Sequence, residues 1–199
     1  MSVTVLLPAG RLPLDILDKI QQFAGQYGLE LYCSTAQNIR LLEVPGSKVQ
    51  EIKDALIPLG ADFKGPGKFP LPRVCVGKPH CNFGLIDIEA LNDAILDRYG
   101  PRQNVKGKFK ISLSACPLGC SGAKITDIAV VATKKGLELF AGGHGGPYPK
   151  LGRRYLRGAT QEEILDAIGV LVDFHDLKTL KKQRMYKLLD DPEFPLTEV

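Results

Sequence analysis

Four of the five cysteines occur as two local pairs, and thiols at such spacing can hold a metal centre. Five residues, VGKPH, separate Cys75 from Cys81, and three residues, PLG, separate Cys116 from Cys120. Cysteine thiolates are the usual ligands of structural zinc and of iron–sulfur clusters. If the two pairs converge in the fold, their four sulfurs can bind one zinc ion or one cluster.

The spacing within the pairs favours a cluster over zinc. Structural zinc sites usually have two to four residues between paired cysteines, so a gap of five is wide. A cubane cluster is larger than a single ion, and its ligands stand further apart. Gly77 and Gly119 let the backbone approach closely, while Pro79 and Pro117 stiffen the loops. Structural zinc and buried, unligated thiols stay open as alternatives, and the separate Cys33 is predicted to lie in the core.

Each cysteine pair lies where a predicted strand enters a loop. RVCVG (73–77) leads into the first pair, and KFKISLSA (108–115) leads into the second. The segment 108–115 alternates apolar with polar side chains, which is typical of a strand whose two faces have different neighbours. A helix is predicted over 86–100, between the two strands. The cysteine pairs meet if these strands are neighbours in one sheet.

The remaining elements predict an α+β fold with two domains. Residues 2–59 follow the order strand, helix, strand, strand, helix, which resembles most of a ferredoxin-like unit. Ser47 is the expected N-cap of the second helix, with Gln50 as its capping-box partner. The linker candidate KGPGKFPLP (64–72) is rich in Pro and Gly. The expected domains are therefore 1–66 and 67–199.

The second domain is predicted to mix strands and helices around the cysteine loops. Beyond them we expect a hairpin over 127–143 and a Gly/Pro loop over 142–152. A helix over 160–177 opens with a Thr160/Glu163 capping box, and a polar helix and a Pro-containing tail end the chain.

Composition narrows the class of protein. The chain has 199 residues and a formal net charge of +4, with 44% hydrophobic and 24% charged residues. These values predict a packed soluble protein and favour neither nucleic acid nor a membrane as partner. A cytoplasmic location is expected, where five cysteines favour metal or redox chemistry over disulfides. The densest group of basic residues is predicted to be a solvated helix face: Lys178, Lys181, Lys182, Arg184 and Lys187.

The cysteine pattern and its flanks resemble the sirohaem-containing sulfite and nitrite reductases. The shared pattern is Cys-x5-Cys, followed after 34 residues by Cys-x3-Cys. VCVGKPHCNFGLIDIEAL and KFKISLSACPLGCSGAKITDIAVVA are similar to the two cysteine segments of that family. AGGHGGPYPKLGRR resembles its Gly-rich loop, and STAQNIRLLEV resembles its N-terminal sirohaem-facing segment. The resemblance covers residues 1 to about 175, and it implies a small, single-repeat member.

The resemblance implies a fold, two cofactors and a ligand set. The fold would be a ferredoxin-like unit followed by an α/β domain that binds sirohaem and a 4Fe–4S cluster. Cys75, Cys81, Cys116 and Cys120 would ligate the cluster, and Cys120 would also bridge to the sirohaem iron. The implied reaction is the six-electron reduction of sulfite to sulfide, or of nitrite to ammonia.

Basic side chains are expected to hold the substrate anion and the carboxylates of sirohaem. Lys108, Lys110 and Arg40 are the candidate catalytic residues, and Lys108 and Lys110 would share one face of their strand. The candidate contacts to sirohaem are Arg73, Lys78, Arg153, Arg154 and His144.

The chain departs from the family in two respects. It contains one unit where the full-size enzymes contain two pseudo-repeats. Where the family often has Thr-x-Arg-Gln, this chain has Ser34-Thr35-Ala36-Gln37, so Ala36 stands in place of the arginine. A separate electron donor such as a ferredoxin is expected, because the chain has no second set of four cysteines. Self-association is left open. The alternatives are a non-catalytic electron-transfer or redox-sensing protein and a structural zinc protein with an interaction role.

Overall fold

In the N-terminal part of the chain, two helices pack on one face of a four-stranded sheet. The computed structural model describes residues 1–180 and 183–199 and divides into two compact units, Met1–Gly65 and Pro66–Val199. The elements of the first unit are β1 (Val3–Leu6), α1 (Leu14–Tyr27), β2 (Leu31–Cys33), β3 (Ile39–Leu41), α2 (Val49–Leu56) and β4 (Asp62–Phe63). The strands pair antiparallel in the order β2-β3-β1-β4. This arrangement completes the predicted ferredoxin-like unit with the short strand β4.

The core of this unit lies between the sheet and the two helices. Ile20 of α1 and Ile52 of α2 are fully buried in one cluster with Val5 of β1 and Leu41 of β3. Helix α1 ends at Gly28, whose φ of +64° is the left-handed conformation that favours glycine at a helix end.

Two predictions for the first unit were wrong. Ser47 does not cap α2: it lies in a 3-10 turn (Gly46–Lys48), and the helix has no side-chain cap. Cys33 is exposed and does not lie in the core, because it sits on the edge strand β2, all three of whose residues are exposed.

The second unit is built on a five-stranded sheet that carries the cysteine loops. Its elements are β5 (Arg73–Val74), α3 (Ile88–Tyr99), β6 (Ile111–Ser114), β7 (Ile128–Thr133), β8 (Gly136–Ala141), β9 (Arg153–Ala159) and α4 (Gln161–Lys178). The strand order is β5-β6-β7-β8-β9, with parallel pairing from β5 to β7 and antiparallel pairing from β7 to β9. The helices pack against each other, and Gly169 of α4 leaves room for the ring of Tyr99, whose hydroxyl donates to Leu165 O at 2.6 Å.

The two faces of this sheet have different neighbours. Residues Ile128 and Val130 of β7 are fully buried and alternate with Ala129 and Val131, which face the other way. Ala129 and Val131 form a separate small cluster with Ala123 from the segment that begins at Cys120. That segment, residues 120–127, is called the crossing segment below.

Helix α4 begins with the predicted capping box. The Glu163 carboxylate accepts from Thr160 N at 2.8 Å, and Glu163 N donates to Thr160 Oγ1 at 3.3 Å. The hydrogen bond from the Thr160 backbone lowers the pKa of Glu163, and the bond from the Thr160 hydroxyl adds to that effect.

The C-terminal segment differs from the expected polar helix. Lys181 and Lys182 lie outside the described residues, and the described part after α4 contains only a 3-10 turn, Met185–Lys187. The predicted single basic helix face is wrong, because Lys178 is the last residue of α4 whereas Arg184 and Lys187 lie beyond that helix. Lys178 pairs with Asp191 at 3.1 Å, and Arg184 pairs with the buried Asp127 at 2.8 Å. Among the helices of the described ranges, none combines the length and apolar character needed to cross a bilayer.

Candidate metal centre

The two strands that lead into the cysteine pairs are neighbours. β5 pairs with β6 in parallel, with Val74 opposite Leu113. The segments that follow the two strands therefore leave the sheet at the same edge. The ladder continues one residue further, because Cys75 N donates to Leu113 O at 3.1 Å. The backbone N–H of Ala115 then donates to Cys75 Sγ at 3.1 Å. Cys75 Sγ therefore lies beside Ala115, the residue that precedes Cys116.

The first cysteine loop folds back and is tied to the second segment. Gly84 N donates to Cys81 O at 3.0 Å, and Leu85 N donates to Ala115 O at 2.9 Å. Gly77 has φ +59°, and a Cβ there would lie 2.5 Å from a methyl carbon of Ile88. Glycine at this position is therefore required by packing as well as by backbone conformation. The sequence singled out Gly77 but missed Gly84, whose added Cβ would lie 2.9 Å from a backbone nitrogen.

The second cysteine pair brackets a tight turn that presents Cys120. Gly119 N donates to Cys116 O at 3.3 Å, and Gly122 N donates to Gly119 O at 2.8 Å. Cys116 is buried, whereas Cys120 is exposed. Thus Cys116 is shielded within the protein, and Cys120 is open to a second group.

The chemistry of this donor set suits a cluster better than a single ion. All five cysteines are free thiols. Within residues 1–180 and 183–199, no three His, Cys, Asp or Glu side chains lie close enough to hold one metal ion. Tetrahedral zinc would need sulfurs roughly 3.8 Å apart, since Zn–S bonds measure about 2.3 Å. A 4Fe–4S cluster spreads its four ligands over a larger body, and its sulfurs commonly accept backbone N–H bonds like the one from Ala115. The residues present therefore fit a cluster.

Two of the predicted cofactor contacts lie with the cysteine segments. Lys78 is exposed within the first loop. Arg73 opens β5, and its guanidinium Nη2 lies 3.4 Å from Thr126 Oγ1 of the crossing segment. Its Nε is buried and has no hydrogen-bond partner.

The two predicted catalytic lysines lie at the other end of β6. The strand begins at Ile111, so Lys108 and Lys110 precede it, whereas Cys116 follows its last residue. Lys108 has φ +66°, outside the extended conformation, and Lys110 N donates to Asp127 Oδ2 at 3.1 Å. The expected shared strand face is therefore wrong, and the structure does not bring these lysines to the cysteine loops.

Arg153, which follows the Gly/Pro loop, lies at that far end, whereas the loop itself is hydrogen-bonded to the crossing segment through Gly145 N to Ile125 O and Gly152 N to Lys124 O. Arg153 is opposite Ala141, which pairs with Ile128, and Ile128 pairs with the first residue of β6. The Arg153 guanidinium lies 2.7 Å from the Asp190 carboxylate, and Arg154 lies 3.4 Å from that of Glu138. Arg153 and Arg154, which were predicted to contact sirohaem, therefore each pair with a carboxylate of this chain.

His144 lies in the Gly/Pro loop. Its ring stacks on Tyr186 with the ring centroids 5.1 Å apart, and its Nδ1 is buried without a partner. Its backbone exchanges two hydrogen bonds with Lys150. The roles of His144 and the two arginines at a cofactor stay predictions.

Arg40 lines a polar pocket within the N-terminal unit. The pocket encloses about 400 Å³, and its lining also includes Lys53, Lys64 and Ala36. Arg40 Nη2 donates to Ser2 Oγ at 3.2 Å, while its Nε is buried without a partner. Among the described residues that line it, none is Asp or Glu, so the pocket suits an anion. Sequence reasoning missed Lys53, which lies on α2, and Lys64, which follows the two-residue strand β4.

Comparison with known proteins places both units in one family. A family model described as the nitrite and sulphite reductase 4Fe–4S domain matches residues 71–192. Another, described as the nitrite/sulfite reductase ferredoxin-like half domain, matches residues 1–59. The two matches together cover most of the chain.

Individual relatives agree but differ greatly in length. The chain is 31% identical over 162 residues to a nitrite reductase [NAD(P)H] of Bacillus subtilis, covering 80% of this chain and 20% of that protein. It is 26% identical over 185 residues to an assimilatory-type sulfite reductase of Nitratidesulfovibrio vulgaris, covering 92% and 84%. The chain thus spans about a fifth of the first relative and most of the second.

A solved structure shows the same fold. The NirA protein of Mycobacterium tuberculosis superposes with a TM-score of 0.75 at 19% identity, over 94% of this chain and 37% of that one. The cysteine loops on neighbouring strands and the matches to both units lead to one conclusion. The chain belongs to the sirohaem-dependent nitrite and sulfite reductase family, whose cofactors are a 4Fe–4S cluster and sirohaem.

Proposed function

We propose that this chain is a small sulfite reductase that takes sulfite to sulfide in a six-electron reduction. The observation that carries the proposal is the parallel pairing of β5 and β6, which gathers both cysteine pairs at one edge of the sheet. The length of the Nitratidesulfovibrio vulgaris protein named as a sulfite reductase supports sulfite, since this chain spans 84% of it. Nitrite is the second candidate, supported by the similarity to nitrite reductases.

Each of the four paired cysteines has a proposed task. Cys75, Cys81 and Cys116 would hold the cluster, and Cys120 would be a ligand to both the cluster and sirohaem. The exposure of Cys120 and the burial of Cys116 support this division. When bound, the two cofactors supply electrons one at a time at an iron that can take the anion. The protein contributes ligation, fixed charge and protons.

Arg40 is proposed to bind an anionic group in the first unit. Its pocket carries three cationic side chains, those of Arg40, Lys53 and Lys64, and polar groups from Ser34 and Thr35. Charged hydrogen bonds of this kind both attract an anion and stabilise charge that develops on it. Lys53 and Lys64 would supply the positive charge that the family's arginine provides at the position of Ala36.

A separate electron carrier is proposed as the donor. Once four of the five cysteines in this sequence are used, one is left, which is too few for a second four-cysteine cluster within it. The ferredoxin–nitrite reductase of Synechococcus elongatus, 26% identical over 178 residues, supports a carrier of the ferredoxin type.

The first test is the cofactor content of anaerobically purified protein. About four cluster irons, a matching amount of acid-labile sulfide and one sirohaem per chain are expected. Steady-state reduction of sulfite and of nitrite by a reduced viologen then measures turnover with each anion. Brisk sulfite turnover is the expected result. Both cofactors without turnover of either anion would instead favour an electron-transfer protein, and one zinc without iron would refute the proposal.

A further inference from the structure

The crossing segment rests on polar side chains from the strands that carry the cysteines. Thr126 Oγ1 donates to Gly122 O at 2.9 Å and lies 3.4 Å from Arg73 Nη2. Gly122 has φ +73°, and a Cβ there would stand 3.0 Å from the same Nη2. The guanidinium of Arg73 therefore fills the space under the turn that follows Cys120.

A second contact holds the turn from the neighbouring strand. The hydroxyl groups of Ser114 and Ser121 share a buried hydrogen bond of 2.6 Å, and Ser121 directly follows Cys120. Ser114 lies two residues before Cys116, as Arg73 lies two residues before Cys75. Side chains two residues apart in a strand share a face. Ser112 is opposite Arg73, and Ser114 lies two residues further along β6, so Arg73 and Ser114 share one face of the sheet and both contact the crossing segment.

The charge of Arg73 has no carboxylate to balance it. In the described part of the chain, no ion pair involves its guanidinium, and its Nε is buried without a partner. Ser112, opposite Arg73 in the parallel register, also has a buried hydroxyl without a partner. Arg73 is only partly buried, so water screens part of its charge, but an unpaired guanidinium with a buried Nε still attracts an anionic group. Four thiolates that hold a cluster would provide that negative charge.

We propose that Arg73 is a positioning residue that fixes the turn presenting Cys120, acting through Thr126 and Gly122. This role differs from the predicted direct contact with sirohaem carboxylates. The inference rests on the proposed function in one respect only, namely that Cys120 is a shared ligand. The support of the turn itself is a property of the chain's own residues.

Two variants and their combination test the inference. R73M removes the charge and the donor, T126V removes only the hydroxyl, and R102M is a matched control. Arg102 is also an arginine of the second unit, but it pairs with the exposed Asp173. Amide hydrogen exchange of the full chain after metal removal reports on the turn. We expect R73M and T126V each to speed exchange at residues 122–126 about tenfold, with the double variant no faster than either single variant. R102M should match the unaltered chain there.

A spectroscopic measurement separates positioning from general support. In protein loaded with both cofactors, R73M should shift the sirohaem absorption bands at unchanged iron and sulfide content, and R102M should not. Unchanged exchange at residues 122–126 in R73M would overturn the inference. So would additive effects of R73M and T126V, or faster exchange across the whole unit, or an unshifted sirohaem spectrum. The exchange measurement needs no cofactor, so failure of the chain to load a cluster refutes the proposed function without deciding this result.

Discussion

The buried carboxylate of Asp127 ties the crossing segment to the C-terminal segment, and its replacement gives a sharp test. Asp127 is fully buried. Its Oδ1 accepts from Arg184 Nε at 2.8 Å and from Met185 N at 3.0 Å, and its Oδ2 accepts from Lys110 N at 3.1 Å. Three donors thus converge on one charge.

The variant D127N keeps the shape of the side chain but removes its charge. In asparagine an NH2 group replaces one carboxylate oxygen. This NH2 group cannot accept a hydrogen bond from the backbone N–H or the guanidinium that it would face. Breaking a buried ion pair costs about 3–5 kcal/mol. The Arg184 side chain is 16% exposed and can recover some hydration, so we expect the low end of that range, a loss of about 3 kcal/mol. At about 2–4 °C per kcal/mol, Tm should fall by roughly 6–12 °C.

Urea unfolding of the full chain followed by far-UV circular dichroism measures this loss. The matched control is D173N, which breaks the exposed pair with Arg102 and should cost less than about 1 kcal/mol. The double variant D127N/R184M should lose less stability than the two single changes added together, because the guanidinium no longer remains unpaired. Equal losses for D127N and D173N, or a D127N midpoint equal to that of the unaltered chain, would refute the assigned role of Asp127.

Three further predictions concern other parts of the chain. C120S should change the sirohaem absorption and the cluster absorption together, whereas C33S should change neither; identical spectra for C120S and the unaltered chain would contradict the shared thiolate. G143A should destabilise the protein by about 2 kcal/mol, because an added Cβ would lie 2.5 Å from a carbonyl oxygen of the crossing segment. G145A is its control, since its Cβ would meet only a side-chain methyl at 3.4 Å and a backbone oxygen at 4.0 Å, and equal unfolding midpoints would contradict the packing argument. The lowered pKa of Glu163 means that the capping box contributes fully above the unfolded pKa and is lost as pH falls through the folded one. Thermal unfolding of E163Q between about pH 6 and pH 3 should show a weaker pH dependence than that of the unaltered chain.

Much of the local architecture could be predicted from the sequence. The Thr160/Glu163 capping box depends on two side chains three residues apart. Such a motif can be predicted because it needs no residues from elsewhere in the chain. The ferredoxin-like order was also recognisable, because the apolar periods of its helices and strands are short-range patterns. The sequence predicted that the cysteine pairs meet if their two strands are neighbours in one sheet, and in the structure these strands are neighbours.

Long-range partners could not be predicted in the same way. Nothing near Arg153 in the sequence indicates that Asp190 pairs with it, and nothing near Lys110 indicates that its backbone meets Asp127. The strand face expected for Lys108 failed because its backbone leaves the extended conformation before β6 begins. Cys33 was misplaced because an apolar strand at the edge of a sheet has the same residues as one at its centre.

The parallel pairing of β5 and β6 has a consequence for how the protein matures. Forty residues, including α3, separate Cys75 from Cys116, so this pairing closes a long loop and is expected to form late in folding. Cysteines within each pair are near each other from the start. Before β5 and β6 pair, the thiols of each cysteine pair are open to oxidation by air. A disulfide within one pair would remove two of the four ligands. The yield of loaded protein should therefore depend more on reductant present during folding than on iron and sulfide supplied afterwards.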